Sequence, residues 1–78
     1  MPRFFFHLYQ QTIEFDREGK ELTSAAEARE EAKRSARKLA SSEVLDGHLG
    51  LSHRIEVTDA YDGAVAIVRF KDVVKLHP

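Results

Sequence analysis

Three consecutive phenylalanines, Phe4, Phe5 and Phe6, open the stretch Arg3-Phe4-Phe5-Phe6-His7-Leu8-Tyr9. Aromatic residues at this density favour a pleated, buried strand over a helix. Successive side chains alternate across a sheet, so Phe4, Phe6 and Leu8 fall on one face and Phe5, His7 and Tyr9 on the other. Both faces are apolar, and such a strand needs cover on two sides. A second stretch repeats the demand, with Ala64, Ala66, Val68 and Phe70 alternating against Val65, Ile67 and Arg69. Any fold for this chain must cover both sides of its sheet or leave one side for a partner.

The segments between supply the remaining elements. Residues 12–15 resume the alternation with Ile13 and Phe15 on one side, predicting a hairpin with the first strand, and the turn Asp16-Arg17-Glu18-Gly19 closes it. Ser24-Ala25-Ala26-Glu27 has the spacing of a capping box and predicts a helix from about Ala25. Ala25, Ala28, Ala32, Ala36 and Leu39 lie within an arc of about 80° at helical periodicity, a stripe of mostly methyl groups that permits close approach to a sheet. Beyond Ala40 the pattern degrades: Glu43 falls on the stripe while Val44 and Leu45 leave it, so the last turn is expected to be kinked, tightened or unwound. Asp46-Gly47 is a helix stop. Residues 54–58 alternate Ile55 and Val57 against polar neighbours, predicting a third strand, and a turn at residues 59–63 leads to a fourth over residues 64–70. Val73, Val74 and Leu76 can extend that strand, form a turn of helix or cover a sheet face.

The predicted fold is α+β in the order ββαββ, one amphipathic helix packed on a four-stranded, mainly antiparallel sheet, forming a single domain over residues 1–78. The two-sided strands, first and fourth, are expected in the interior, with the more polar second and third at the edges. The chain has no cysteine, so neither a disulfide nor a thiolate-held zinc can staple it. No apolar run approaches the roughly 20 residues of a membrane span. Met1-Pro2-Arg3 runs directly into the first strand without room for a secretory leader, and a cytoplasmic location is expected. Twelve basic residues against thirteen acidic ones leave a formal charge of −1, so no net field draws the chain to nucleic acid.

Residues that carry chemistry are few. His7 and His53 are the weak metal-ligand candidates, meeting only if the first and third strands are neighbours, and no HExxH spacing accompanies them. The serines read as cap, helix surface or loop, without a nucleophile elbow, and no catalytic residue or cofactor is expected. Gly47-His48-Leu49-Gly50 spells the GxxG of KH domains, but follows one helix and precedes a strand, where a cap and a turn explain both glycines. Arg29, Lys33, Arg34, Arg37 and Lys38 form a basic group on the helix, the one local argument for nucleic acid.

The spelling itself resembles a family of short bacterial proteins, common in alphaproteobacteria such as rhizobia and known as a domain of unknown function. The likeness rests on the opening Met1-Pro2-Arg3-Phe4-Phe5-Phe6-His7, the acidic glycine turn Asp16-Arg17-Glu18-Gly19-Lys20-Glu21-Leu22 and the alanine-rich helix. It continues through Gly47-His48-Leu49, Arg54-Ile55-Glu56-Val57, Asp62-Gly63 and Phe70-Lys71-Asp72-Val73-Val74. It departs at Gln10-Gln11, where relatives often turn on Asp-Gly, and at Arg69, where proline is common. The resemblance implies a bacterial cytoplasmic setting and brings no activity or cofactor. The leading expectation is a non-enzymatic interaction or oligomerisation module, a homodimer or heteromer, with Phe5, His7, Tyr9, Val65 and Ile67 on the helix-free face. The competing expectations are a tail folded over that face, a nucleic-acid-associated regulator using the helix basics, and a small-ligand or metal-binding dimer.

Overall fold

A computed structural model describes residues 1–78. The chain runs β1 (Arg3–Tyr9), β2 (Ile13–Glu14), β3 (Lys20–Glu21), α1 (Ala25–Leu45), β4 (Arg54–Asp59), β5 (Ala64–Arg69) and α2 (Phe70–Val73). It is an α+β fold, one long helix on one face of an antiparallel sheet ordered β2-β1-β4-β5. The short β3 pairs with β1 beyond the end of β2, making a fifth strand that two polar residues, Lys20 and Glu21, gave no pattern to predict. The two long pairings share β4: Phe6 of β1 stands opposite Val57 and Leu8 opposite Ile55, while Ile55 also faces Val68 of β5.

Strand order corrects one expectation. β1 is interior as its two apolar faces require, but its interior neighbour is β4, and the apolar β5 is the outer strand. The helix-side residues of β4, Ile55 and Val57, are buried at the middle of the core, which explains the placement. β5 is protected at its edge by other means. A register irregularity at Val57 and Thr58 bulges it, α2 follows at once, and Arg29 of α1 reaches the Val65 carbonyl at 3.5 Å. Bulges and covering charges blunt edge-to-edge pairing.

α1 begins where its cap predicts. Ser24 is extended and its side chain accepts from the Glu27 amide at 3.1 Å. The Glu27 carboxylate turns instead to the Thr23 hydroxyl, so the reciprocal half of the capping box is replaced by a neighbouring donor. Ala28, Ala32, Ala36 and Ala40 are sealed against the sheet, whereas Ala25 is exposed. The helix does not unwind after Ala40 but runs unbroken to Leu45. It ends in a Schellman pattern: Gly47 at φ 91° donates to the Val44 carbonyl, and His48 donates to that of Glu43. Val44 and Leu45 are consequently exposed and Glu43 is buried.

The tail packs on the helix side. The Phe70 amide donates to the His53 carbonyl at 2.8 Å and Lys71 to that of Leu51 at 3.1 Å, which turns the chain into α2. Phe70 is fully buried, and Val73 and Val74 pack against the core. Of the three futures open to this segment, a turn of helix is the one adopted, and it leaves the other face of the sheet uncovered.

Candidate functional site

The helix-free face is built around His7. On β1, Phe5, His7 and Tyr9 point away from α1, opposite Thr58, Glu56 and Arg54 of β4. Phe5 and His7 stack with ring centres 6.5 Å apart and planes 6° from parallel. Phe15, carried in from the sheet edge, meets the edges of His7 at 5.5 Å and Tyr9 at 6.3 Å, while the Arg54 guanidinium sits 4.3 Å above the Tyr9 ring. A row of four rings closed by a cation thus runs across the face. Ile67 of β5 adds an aliphatic side chain that is half exposed. Val65 does not join them: the bulge in β5 turns it toward the core, against which it packs as Ala66 does. The expected contact face therefore keeps Phe5, His7, Tyr9 and Ile67, loses Val65, and gains Phe15. Sequence alternation had placed Phe15 on a strand face but could not say that its ring reaches back to β1.

His7 is held by its neighbours. The Asp16 amide donates to His7 Nδ1 at 3.1 Å, so that nitrogen is an acceptor and the proton resides on Nε2, which donates to Thr58 Oγ1 at 3.0 Å. Asp16 is itself a hub: its carboxylate accepts from the amides of Phe6, Glu18 and Gly19 at 3.0–3.1 Å. Desolvation works against the charge on Asp16, yet these amides outweigh it and hold the carboxyl below the usual carboxylate range. Gly19, at φ 70°, is packed so closely on Arg3 and Phe5 that a Cβ there has no room.

A second constellation lies where α1 ends. Glu43, 4% exposed, accepts from Gly50 N at 2.7 Å on Oε1, and from Gln10 Nε2 at 2.8 Å and His53 Nδ1 at 2.6 Å on Oε2. Burial pushes its carboxyl up, but Gly50, His53 and Gln10 outweigh that, and it too titrates below the usual range. One carboxylate thus ties α1 to the end of β1 and the entry of β4. Gly50 lies flat against the His53 ring, leaving no space for a Cβ, so the GxxG spelling is accounted for by a cap at Gly47 and this contact at Gly50. Gln10, Thr12, Ser42, Asp46, His48 and His53 line an open cleft of about 370 Å³ beside Glu43. Its one apolar wall residue is Leu39, whereas ligand pockets are mostly apolar. The Ser42 hydroxyl donates to the Lys38 carbonyl and not to His53.

The remaining candidates are dispersed. β1 and β4 are neighbours, yet His7 lies on the open face and His53 on the helix side against Phe70, so the two do not converge on a metal. No group of three or more histidine, aspartate or glutamate side chains is arranged to hold one. Among the helix basics, Lys33 pairs with Glu30 at 3.0 Å, Arg34 with Glu31 at 2.8 Å, and Arg29 faces β5. Arg37 borders a groove with Ala40, Val44 and Val74, and Lys38 is exposed beside it on α1. No helix is long and apolar enough to cross a membrane.

No curated protein and no solved structure is similar enough to this chain to register as a match. A family model does match, over residues 3–71, from the first residue of β1 into α2 and so across both constellations. The chain belongs to the DUF6894 family, a domain of unknown function.

Proposed function

We propose that this domain is a non-enzymatic interaction module whose open sheet face meets a second copy of the same chain. The observation that carries the reading is the partly exposed row of Phe5, His7, Phe15 and Tyr9, left without further cover because the tail, the one segment of the chain expected to shield it, docks on the helix side. The bacterial cytoplasmic setting implied by the sequence resemblance belongs to the same proposal.

A second copy fits this face on two counts. Around a twofold axis a surface meets itself, so a face of one charge sign would repel. This one carries both signs, with Glu56 paired to Arg54 at 2.6 Å and Arg69 opposite Arg54 on β5. Its size also decides something. Three strands about 4.8 Å apart and about 20 Å long, with the short β2 and β3 along one edge, give a footprint of roughly 350 Å² before side-chain relief, below the ~800 Å² per partner of a standard interface. The expected dimer is therefore small and reversible. The blunted edge of β5 favours contact through the face over strand addition. A nucleic-acid contact through Arg29, Lys33, Arg34, Arg37 and Lys38 has less support, because carboxylates on the same helix neutralise Lys33 and Arg34.

Sedimentation velocity at concentrations up to about 200 μM tests the reading, with a reversible monomer–dimer equilibrium of micromolar midpoint expected. A monomer throughout that range, with a partner protein of another sequence binding the same face, would replace the second copy by a heteromeric occupant.

A further inference from the structure

We infer that His7 makes self-association through the open face pH-dependent, the dimer forming while the imidazole is neutral and weakening when it is protonated. The inference rests on the reading of this face as a self-contact and adds a control to it.

The geometry leaves His7 one comfortable protonation state. A neutral ring with its proton on Nε2 satisfies both neighbours, accepting from the Asp16 amide and donating to Thr58 Oγ1. The next proton must come from solvent to Nδ1, where it would point at the N–H of Asp16. Two donors then face each other, and of the two hydrogen bonds that tie residue 16 to β1 the one to His7 is lost, leaving that from the Phe6 amide. Phe15 is the adjacent residue, and its ring forms the edge contacts to His7 and Tyr9. Protonation thus acts on the stacking row itself and not only on one side chain.

The charges around the ring decide the direction. From residues 10–19 the Asp16 carboxylate approaches; from β4, Glu56 stands directly opposite His7 and Arg54 lies over Tyr9; from β5, Arg69 stands opposite Arg54; α1 is on the other side of the sheet. The Asp16 carboxyl, held low, is ionised throughout the range in which histidines titrate. In the monomer, water and these two carboxylates accommodate an imidazolium. Under a second copy the water is gone, and an additional charge must be buried against Phe5 and Phe15. Proton binding and self-association therefore compete, and by linkage each weakens the other. Each dimer contains two such histidines, so the effect is counted twice.

The experiment is sedimentation equilibrium of the full chain at pH 7.5 and pH 5.5, for the wild type and for His7→Gln, whose side chain is neutral at both. The wild-type dissociation constant is expected to rise at least ~10-fold on acidification, and that of His7→Gln to stay within about twofold. Equal wild-type constants at the two pH values, or the same dependence in His7→Gln, would overturn the inference while leaving the dimer in place. A monomer at both pH values would instead remove the self-contact on which it rests. Should His7→Gln fail to fold, the wild type alone decides. Imidazole nitrogen NMR should show Nε2 protonated and Nδ1 bare at neutral pH, with a titration midpoint that falls as protein concentration rises. A concentration-independent midpoint would overturn the coupling.

Discussion

Glu43 is the residue on which the end of the helix depends. Its carboxylate receives three hydrogen bonds from groups 7 to 33 residues away, so removing it leaves a half-buried amide, a carboxamide and an imidazole without their acceptor. Truncation to alanine is expected to destabilise the fold by about 2–4 kcal/mol, read from urea unfolding followed by circular dichroism. Asp16 and Glu43 share a second consequence, since both carboxyls titrate below their ordinary values in the fold. A depressed folded value means that the stabilisation is present above the unfolded carboxylate range and lost as pH falls through the folded one. Stability should therefore decline below about pH 4.5, and Glu43→Gln should flatten that decline while lowering stability at neutral pH. Equal acid sensitivity in the two proteins would contradict it. Helical spacing placed Glu43 on the alanine stripe, and a carboxylate there reads as a sign that the helix has ended. Its donors come from the β1–β2 turn and the loop before β4, which helical periodicity cannot see.

At the scale of elements, the alanine stripe and the glycine contacts set how closely the layers approach. Ala32 and Ala36 are fully buried against the sheet, so Ala36→Leu should cost about 1–3 kcal/mol by overpacking, whereas the same change at the exposed Ala26 should be nearly neutral. Gly50→Ala should cost a similar amount by displacing the His53 ring from Glu43, with the loss seen in the same unfolding assay. β1, β4, β5 and α1 as far as Ala40 were legible because each carries an uninterrupted period, of two residues in the strands and 3.6 in the helix. The bulge in β5 was not. The alternation of residues 64–70 continues unbroken through it, and only the partner strand reveals that Val65 has no opposite number. For the same reason β3 was missed: two charged residues have no pattern, and only pairing with Arg3 and Phe4 makes them a strand.

For the whole molecule, the two-sided strand of phenylalanines foretold a sheet needing more cover than one helix supplies. Sequence alone left open whether the tail or a partner supplies it, since Val73, Val74 and Leu76 suit either purpose. Phe70, which is buried beneath α1, draws the residues after it to the helix side and so takes the tail away from that face. The strand order also escaped the sequence, because centrality in a sheet depends on which neighbours pair, and β4 is central with only one apolar face. What remains is a face of rings and paired charges that Phe15 and Gly19 cover only in part, and for which a second copy is the proposed cover. Sedimentation velocity of the wild type beside Ile67→Glu, a substitution at a half-exposed position away from the core, tests that claim most directly. The wild type should sediment as a reversible dimer at about 100 μM and Ile67→Glu as a folded monomer; a wild type that stays monomeric, or a variant that dimerises equally well, would contradict the account.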